Sequence, residues 1–208
     1  SKNKNKGLIR KISISGQILE TNEVFHTSIN DLTHHKNKAL YIGASPVSNS
    51  EIVSYDLMKK NEENIKESNP VKIDIEEISI PEEISFPTTQ NAIAYGYFYK
   101  PKNKNFQGES EEKPPLLVIS HGGPTSATSN ALNLSIQYWT NRGIAVADVN
   151  YRGSTGYGKK FRDSLKGNWG VYDTDDCIAA VDHLSEKGLV DSSRVAIKGG
   201  SAGGYTTI

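Results

Sequence analysis

Two short stretches carry residue types that could do chemistry together. Gly199-Gly200-Ser201-Ala202-Gly203 holds the pattern G-x-S-x-G, and His121-Gly122-Gly123-Pro124 lies upstream of it. A serine between glycines suits a nucleophile on a sharp strand-to-helix turn, which lifts the hydroxyl above a sheet. The glycines are expected because two backbones meet closely there and a Cβ would clash. A helix starting at the serine would also turn free N–H groups toward developing negative charge. The chemistry implied is acyl transfer. The plain alternative is a glycine-rich turn with an incidental serine, so the setting of the motif decides.

The elements around the two motifs favour chemistry. Val195-Ala196-Ile197 reads as a buried strand running into the serine. Leu116-Leu117-Val118-Ile119 reads as another, running into His121. Between them the periodicity predicts a helix over residues 130–142, with Leu132, Ile136 and Trp139 on one stripe and Gly143 as its stop. A buried strand over 144–149 and a long loop over 150–172 follow. A second helix is expected from Asp173, as its N-cap, to Lys187, with Cys177, Ala180, Val181 and Leu184 facing inward. Strands alternating with helices predict a parallel sheet covered on both faces. Before these, residues 73–80 and 83–86 read as extended chain. Thr88-Thr89-Gln90-Asn91 is the expected hairpin turn into a strand over 92–100. Its row Ile93, Tyr95, Tyr97 and Tyr99 reads as sheet packing rather than a ligand site. Residues 102–113 read as a polar loop.

Residues 7–68 have another character. Short strands are expected near 9–14, 39–44 and 51–57, with Ile12 and Ile14 on one side of the first. Such strands suit a sandwich, a barrel or a propeller blade. They are too few to close any of these, which predicts a piece of something larger. The charged stretch 58–71, with Asn69-Pro70 as a breaker, predicts a domain boundary. Residues 1–68 and 69–208 are therefore expected in separate domains.

Lys and Arg total 24 and Asp and Glu total 24, so charge gives no case for a nucleic-acid or membrane partner. The single cysteine, Cys177, excludes a disulfide framework and a cysteine-rich metal site, and it reads as a small buried hydrophobe. No metal or cofactor is expected. No apolar run is long enough to span a bilayer, and no signal-peptide core follows residues 1–6. A cytoplasmic location is the expectation, although the chain lacks an initiator methionine and reads as a fragment. The oligomeric state is left open.

The order His121-Gly122-Gly123-Pro124, Asn150-Tyr151-Arg152-Gly153-Ser154-Thr155-Gly156-Tyr157-Gly158, Asn168-Trp169-Gly170 and Gly199-Gly200-Ser201-Ala202-Gly203-Gly204-Tyr205 resembles the prolyl oligopeptidase family of serine peptidases. The resemblance is to its acylaminoacyl-peptidase and dipeptidyl-aminopeptidase-like branch. It is dense over 69–208 and loose over 1–68. It implies a partial α/β-hydrolase domain, with a mostly parallel sheet and helices on both faces, preceded by about one blade of a β-propeller. It implies Ser201 as nucleophile, the backbone N–H groups of Ala202 and Gly123 as oxyanion donors, and short peptides as substrates.

In α/β-hydrolases an acid and then a histidine follow the nucleophile, whereas here only seven residues follow Ser201. The triad Asp and His are therefore expected to be missing, leaving the stretch inactive alone. Apolar strand edges are expected to be exposed. His26, His34, His35 and His183 are expected in structural or surface roles, His183 on the solvent side of its helix. His121 is expected to shape the oxyanion turn, and Arg152 to orient the long loop. Two other readings share these motifs: a carboxylesterase of the same fold, and a non-catalytic scaffold or degenerate product.

Overall fold

Polar turns cut the N-terminal part into antiparallel strands. The computed structural model describes residues 7–68, 73–109 and 111–208. They group into two units, one of residues up to 73 with 130–133, the other of 74–129 with 134–208.

In the first unit β1 (Gly7–Ile12) and β2 (Ile18–Val24) form a hairpin. β3 (Ser28–His35), β4 (Lys38–Ser45), β5 (Ser48–Asp56) and β6 (Asn61–Glu67) form a second sheet in that order, antiparallel throughout. Ile9, Val24, Ala39, Tyr41, Val53 and Tyr55 make its core. The expected face of β1 is corrected: Gly7 and Ile9 are buried, whereas Ile12 is 56% exposed and Ile14 is fully exposed. Gly7 sets that phase, because a Cβ there would lie 2.1 Å from the carbonyl oxygen of His26. β2, β3 and β6 were not expected, and β6 falls in the charged stretch 58–71 expected to mark the domain boundary. The Asn69-Pro70 breaker and the expected boundary lie outside the described residues.

The second unit begins with a 3-10 turn, Ile75–Glu77, where extended chain was expected. It continues through β7 (Glu82–Thr88), β8 (Ala92–Tyr99), β9 (Leu116–Ser120), α1 (Leu134–Thr140), β10 (Ala145–Asn150), α2 (Lys159–Asp163), α3 (Tyr172–Glu186), β11 (Val195–Gly199) and α4 (Ala202–Thr207). The strand order is β11-β9-β10-β8-β7. β9 pairs in parallel with β10 and β11, while β8 pairs antiparallel with β10 and β7. The sheet is thus mixed, not mostly parallel. Helices do lie on both faces. Phe98, Leu116, Val118 and Ala147 pack with Cys177, Ala180 and Leu184 of α3. Tyr97, Tyr99, Leu117 and Val146 pack with Ile136 of α1 on the other face.

Further corrections have local causes. α1 is shorter than predicted because residues 130–133 group with the first unit, where Leu132 N–H donates to Ser45 O at 2.8 Å. The long loop contains α2. Asp173 is not an N-cap: α3 starts at Tyr172 after Val171, with no side-chain cap. β11 is not buried. It forms the sheet edge, with Val195 39% and Ile197 37% exposed. Among the described residues no helix is long and apolar enough to cross a membrane.

Candidate active site

β11 runs through Gly200 into α4, and Ser201 stands at the corner with φ 54° and ψ −122°. Few side chains adopt such a backbone, and holding one there costs about 1–3 kcal/mol. Ser201 is exposed, and among the described residues its hydroxyl has no hydrogen-bond partner. Close packing explains two of the glycines. A Cβ on Gly199 would lie 2.2 Å from Gly203 O, and one on Gly203 would lie 2.1 Å from Ser120 O. The positions of Gly200 and Gly204 are open: a Cβ on the first meets nothing within 4 Å, and one on the second only ordinary contact at 3.5 Å. Ser120, the last residue of β9, donates its buried hydroxyl to Gly203 O at 2.9 Å and so pins α4 to the sheet.

The other motif touches this corner. A Cβ on Gly122 would lie 3.1 Å from Gly200 O and 3.4 Å from Ser201 Cβ. Gly123 has φ 131°, and a Cβ there would lie 2.6 Å from Ser126 N, so the turn requires glycine. His121 lies flat on Tyr151, with ring centroids 4.3 Å apart, and the Tyr151 hydroxyl donates to His121 O at 2.7 Å. The His121 ring is engaged at both nitrogens. Nδ1 is 2.8 Å from Gly122 O, and Nε2 is 2.7 Å from Ser154 Oγ. A carbonyl only accepts, so Nδ1 carries the proton. Burial lowers the pKa of His121, and its Nε2 faces Ser154 Oγ, whose hydroxyl also donates to Tyr151 O at 2.7 Å. C=O and N–H point opposite ways across a trans peptide. Fixing Gly122 O therefore fixes the direction of the Gly123 N–H. Among the described residues, neither that N–H nor the one on Ala202 has a protein acceptor.

The chain after Pro124 is tied down as well. Thr128 N–H donates to Asn150 Oδ1 at 2.8 Å, and Thr155 N–H to Ser126 O at 2.8 Å. The Thr128 hydroxyl donates to Asp148, whose carboxyl burial pushes up to about 6.

Arg152 is a buried clamp. Its Nε lies 3.0 Å from Asp176 Oδ1, its other nitrogens reach Thr89, and its guanidinium stacks 3.9 Å above the Tyr172 ring. Asp176, wholly buried, also accepts from the Arg152 N–H at 2.6 Å and from Thr88 at 2.7 Å. Asp173, also wholly buried, accepts from Gly170 N–H at 2.6 Å and from Thr206 of α4 at 2.5 Å. The sequence suggests a cap role for Asp173 and none for Asp176, yet both are buried acceptors. A signal existed: the inward stripe of Cys177, Ala180 and Leu184 runs back through both at helical spacing.

Among the described residues, none of the remaining histidines is hydrogen-bonded to the Ser201 hydroxyl. His183 is half-buried against Phe86 rather than solvent-facing, and among the described residues its Nε2 is buried without a partner. His26 is buried between Glu62 at 3.0 Å and Glu51 at 3.2 Å, and His34 and His35 are exposed. Cys177 is free and buried. The rings of Trp169 and Tyr205 meet at 5.0 Å, both about half exposed.

A strained serine at a strand–turn–helix corner is the geometry of a serine hydrolase, and by resemblance the chain stands with the serine peptidases. Within them the resemblance is to the prolyl oligopeptidase family, whose profile residues 130–208 match. Dipeptidyl aminopeptidase BIII of Pseudoxanthomonas mexicana is 37% identical over 128 residues, 62% of this chain and 19% of that protein. The acylamino-acid-releasing enzyme of Arabidopsis thaliana is 38% identical over 118 residues, 57% of this chain and 15% of that protein. A solved puromycin-hydrolyzing peptidase of Mycobacterium tuberculosis superposes with a TM-score of 0.88 at 34% identity, over 94% of this chain and 30% of that one. The chain thus covers less than a third of the length of each of these three relatives.

Proposed function

We propose that residues 1–208 are part of a serine peptidase of the prolyl oligopeptidase type, which hydrolyses short peptides through an acyl-enzyme on Ser201. In this reading residues 1–68 are the end of a β-propeller, about one blade. Residues 69–208 are the N-terminal half of the α/β-hydrolase domain. Ser201 Oγ attacks the peptide carbonyl carbon as a base takes its proton. The carbonyl π electrons move to the oxygen, which the N–H groups of Ala202 and Gly123 hold. The tetrahedral adduct expels the amine, which takes the proton back, and water then releases the acyl group. The scheme uses no metal or organic cofactor. Among the described residues, no group is hydrogen-bonded to the Ser201 hydroxyl to take its proton, and His121 is spent on Gly122 and Ser154. Residues 1–208 alone are read as catalytically silent.

The observation that carries this reading is the strained backbone of Ser201 beside the turn at Gly122. Its test is turnover of an aminoacyl-nitroanilide and a nitrophenyl ester by the full-length protein, with fluorophosphonate labelling. Both activities and the labelling are expected, and Ser201→Ala should remove turnover by a factor on the order of 10⁴ or more. Ester turnover without amide turnover would instead support an esterase. Silence on both substrates would support a scaffold. Labelling of residues 1–208 alone would reveal a base within them.

His121 offers a second test. His121→Phe keeps the stack on Tyr151 but loses the Nδ1 donor that aims the Gly122–Gly123 peptide. Turnover should fall about 10- to 100-fold, less than complete loss of an oxyanion donor. His121→Asn, whose amide can occupy the place of Nδ1, should recover part of that loss in the same ester assay.

A further inference from the structure

We propose that Asp173 is a positioning residue for the nucleophile, acting through Thr206 on the helix that begins beside Ser201. The proposal rests on Ser201 being the nucleophile. Among the described residues, hydrogen bonds from two different elements hold α4. On the sheet side, Ser120 Oγ donates to Gly203 O at 2.9 Å. On the α3 side, the Thr206 hydroxyl donates to Asp173 Oδ2 at 2.5 Å. Asp173 is itself held, since Oδ1 accepts from Gly170 N–H at 2.6 Å, and the carboxyl has no exposure to solvent.

Thr206 lies one turn beyond Ala202, with its Oγ 3.2 Å from Ala202 O. With Ser120 alone, the helix could still roll about its contact with β9. The bond to Asp173 removes that freedom. Roll about the α4 axis changes where Ser201 Oγ and Ala202 N–H point, and both must meet one carbonyl group. Rate depends steeply on such alignment, with a misplacement of about 1 Å costing roughly 10²-fold. Ground-state binding of a peptide by more distant contacts does not depend on it.

The test is made in the full-length protein. Asp173→Ala is expected to lower kcat about 10- to 100-fold with KM within about twofold. A peptidyl boronate, which mimics the tetrahedral adduct, should lose affinity in the same proportion, while a product peptide binds as before. Thr206→Val should reproduce the effect without removing a carboxyl, which covers the case in which Asp173→Ala does not fold. Asp173→Asn should restore most of kcat. Its amide can accept from Gly170 and donate to Thr206, whose proton then turns to Ala202 O. Unchanged kcat in folded Thr206→Val and Asp173→Ala, or losses confined to KM or to the melting temperature, would overturn the proposal. Full activity in Ser201→Ala would overturn the underlying reading of the nucleophile instead.

Discussion

Gly203→Ala is expected to dismantle the corner that carries Ser201. The added methyl would lie 2.1 Å from Ser120 O, 2.7 Å from Ser120 C and 2.8 Å from His121 O. All three are backbone atoms, so no side chain can swing away. Relief requires α4 to back off from the end of β9, which breaks the Ser120 bond to Gly203 O and pulls the two motifs apart. The cost should reach about 3 kcal/mol, the upper range for overpacking. Fluorophosphonate labelling of the full-length protein should vanish with it. Gly200 supplies the contrast within the same motif. A Cβ there meets nothing within 4 Å, so Gly200→Ala should stay within about 0.5 kcal/mol in a denaturation midpoint. Equal effects at both positions would show that flexibility, not close approach, explains the glycines.

Arg152→Met should be among the most destabilising single changes away from the corner. Asp176 has no solvent exposure, and the guanidinium lies within 2.8 Å of its Oδ1. Removing the cation leaves a buried carboxyl with only the Arg152 N–H and the Thr88 hydroxyl. Breaking one side of such a pair costs about 3–5 kcal/mol. Replacing both partners, as in Arg152→Met with Asp176→Leu, should cost much less than the single change, because no unpaired group remains. Arg152→Lys should not rescue, since an ammonium lacks the fork that reaches Asp176 and Thr89 together and cannot stack on Tyr172. Denaturation midpoints of the three variants decide the matter. A cost below about 1 kcal/mol for Arg152→Met would mean that water reaches Asp176.

The corner was legible because its composition is forced: a strand, two glycines where backbones touch and a serine between them. Hairpin β7–β8 was legible through its turn residues. Its pairing with β10 was not, since strand neighbours are a property of the whole sheet, and the mixed sheet followed from that. β11 was read as buried from its apolar run, but burial depends on what flanks a strand, and β11 flanks only β9. β2, β3 and β6 have mostly exposed side chains and are held by backbone pairing, which leaves no hydrophobic period. The core positions of Asp173, expected only as a cap, and of Asp176 escape the sequence for a related reason. Their polarity hid their place on an inward helical face, where only tertiary partners make a carboxyl welcome.

The backbone of Ser201 sets two demands on one position against each other. At φ 54° and ψ −122° glycine would sit with less strain than any residue bearing a side chain. A chain chosen for stability alone would therefore drift toward glycine at position 201, and its hydroxyl would be the first group lost. A ranking of substitutions by folding free energy would mark this serine as a flaw in the fold. The strain is better understood as the cost of presenting an oxygen on the outside of a corner that is otherwise closed by backbone.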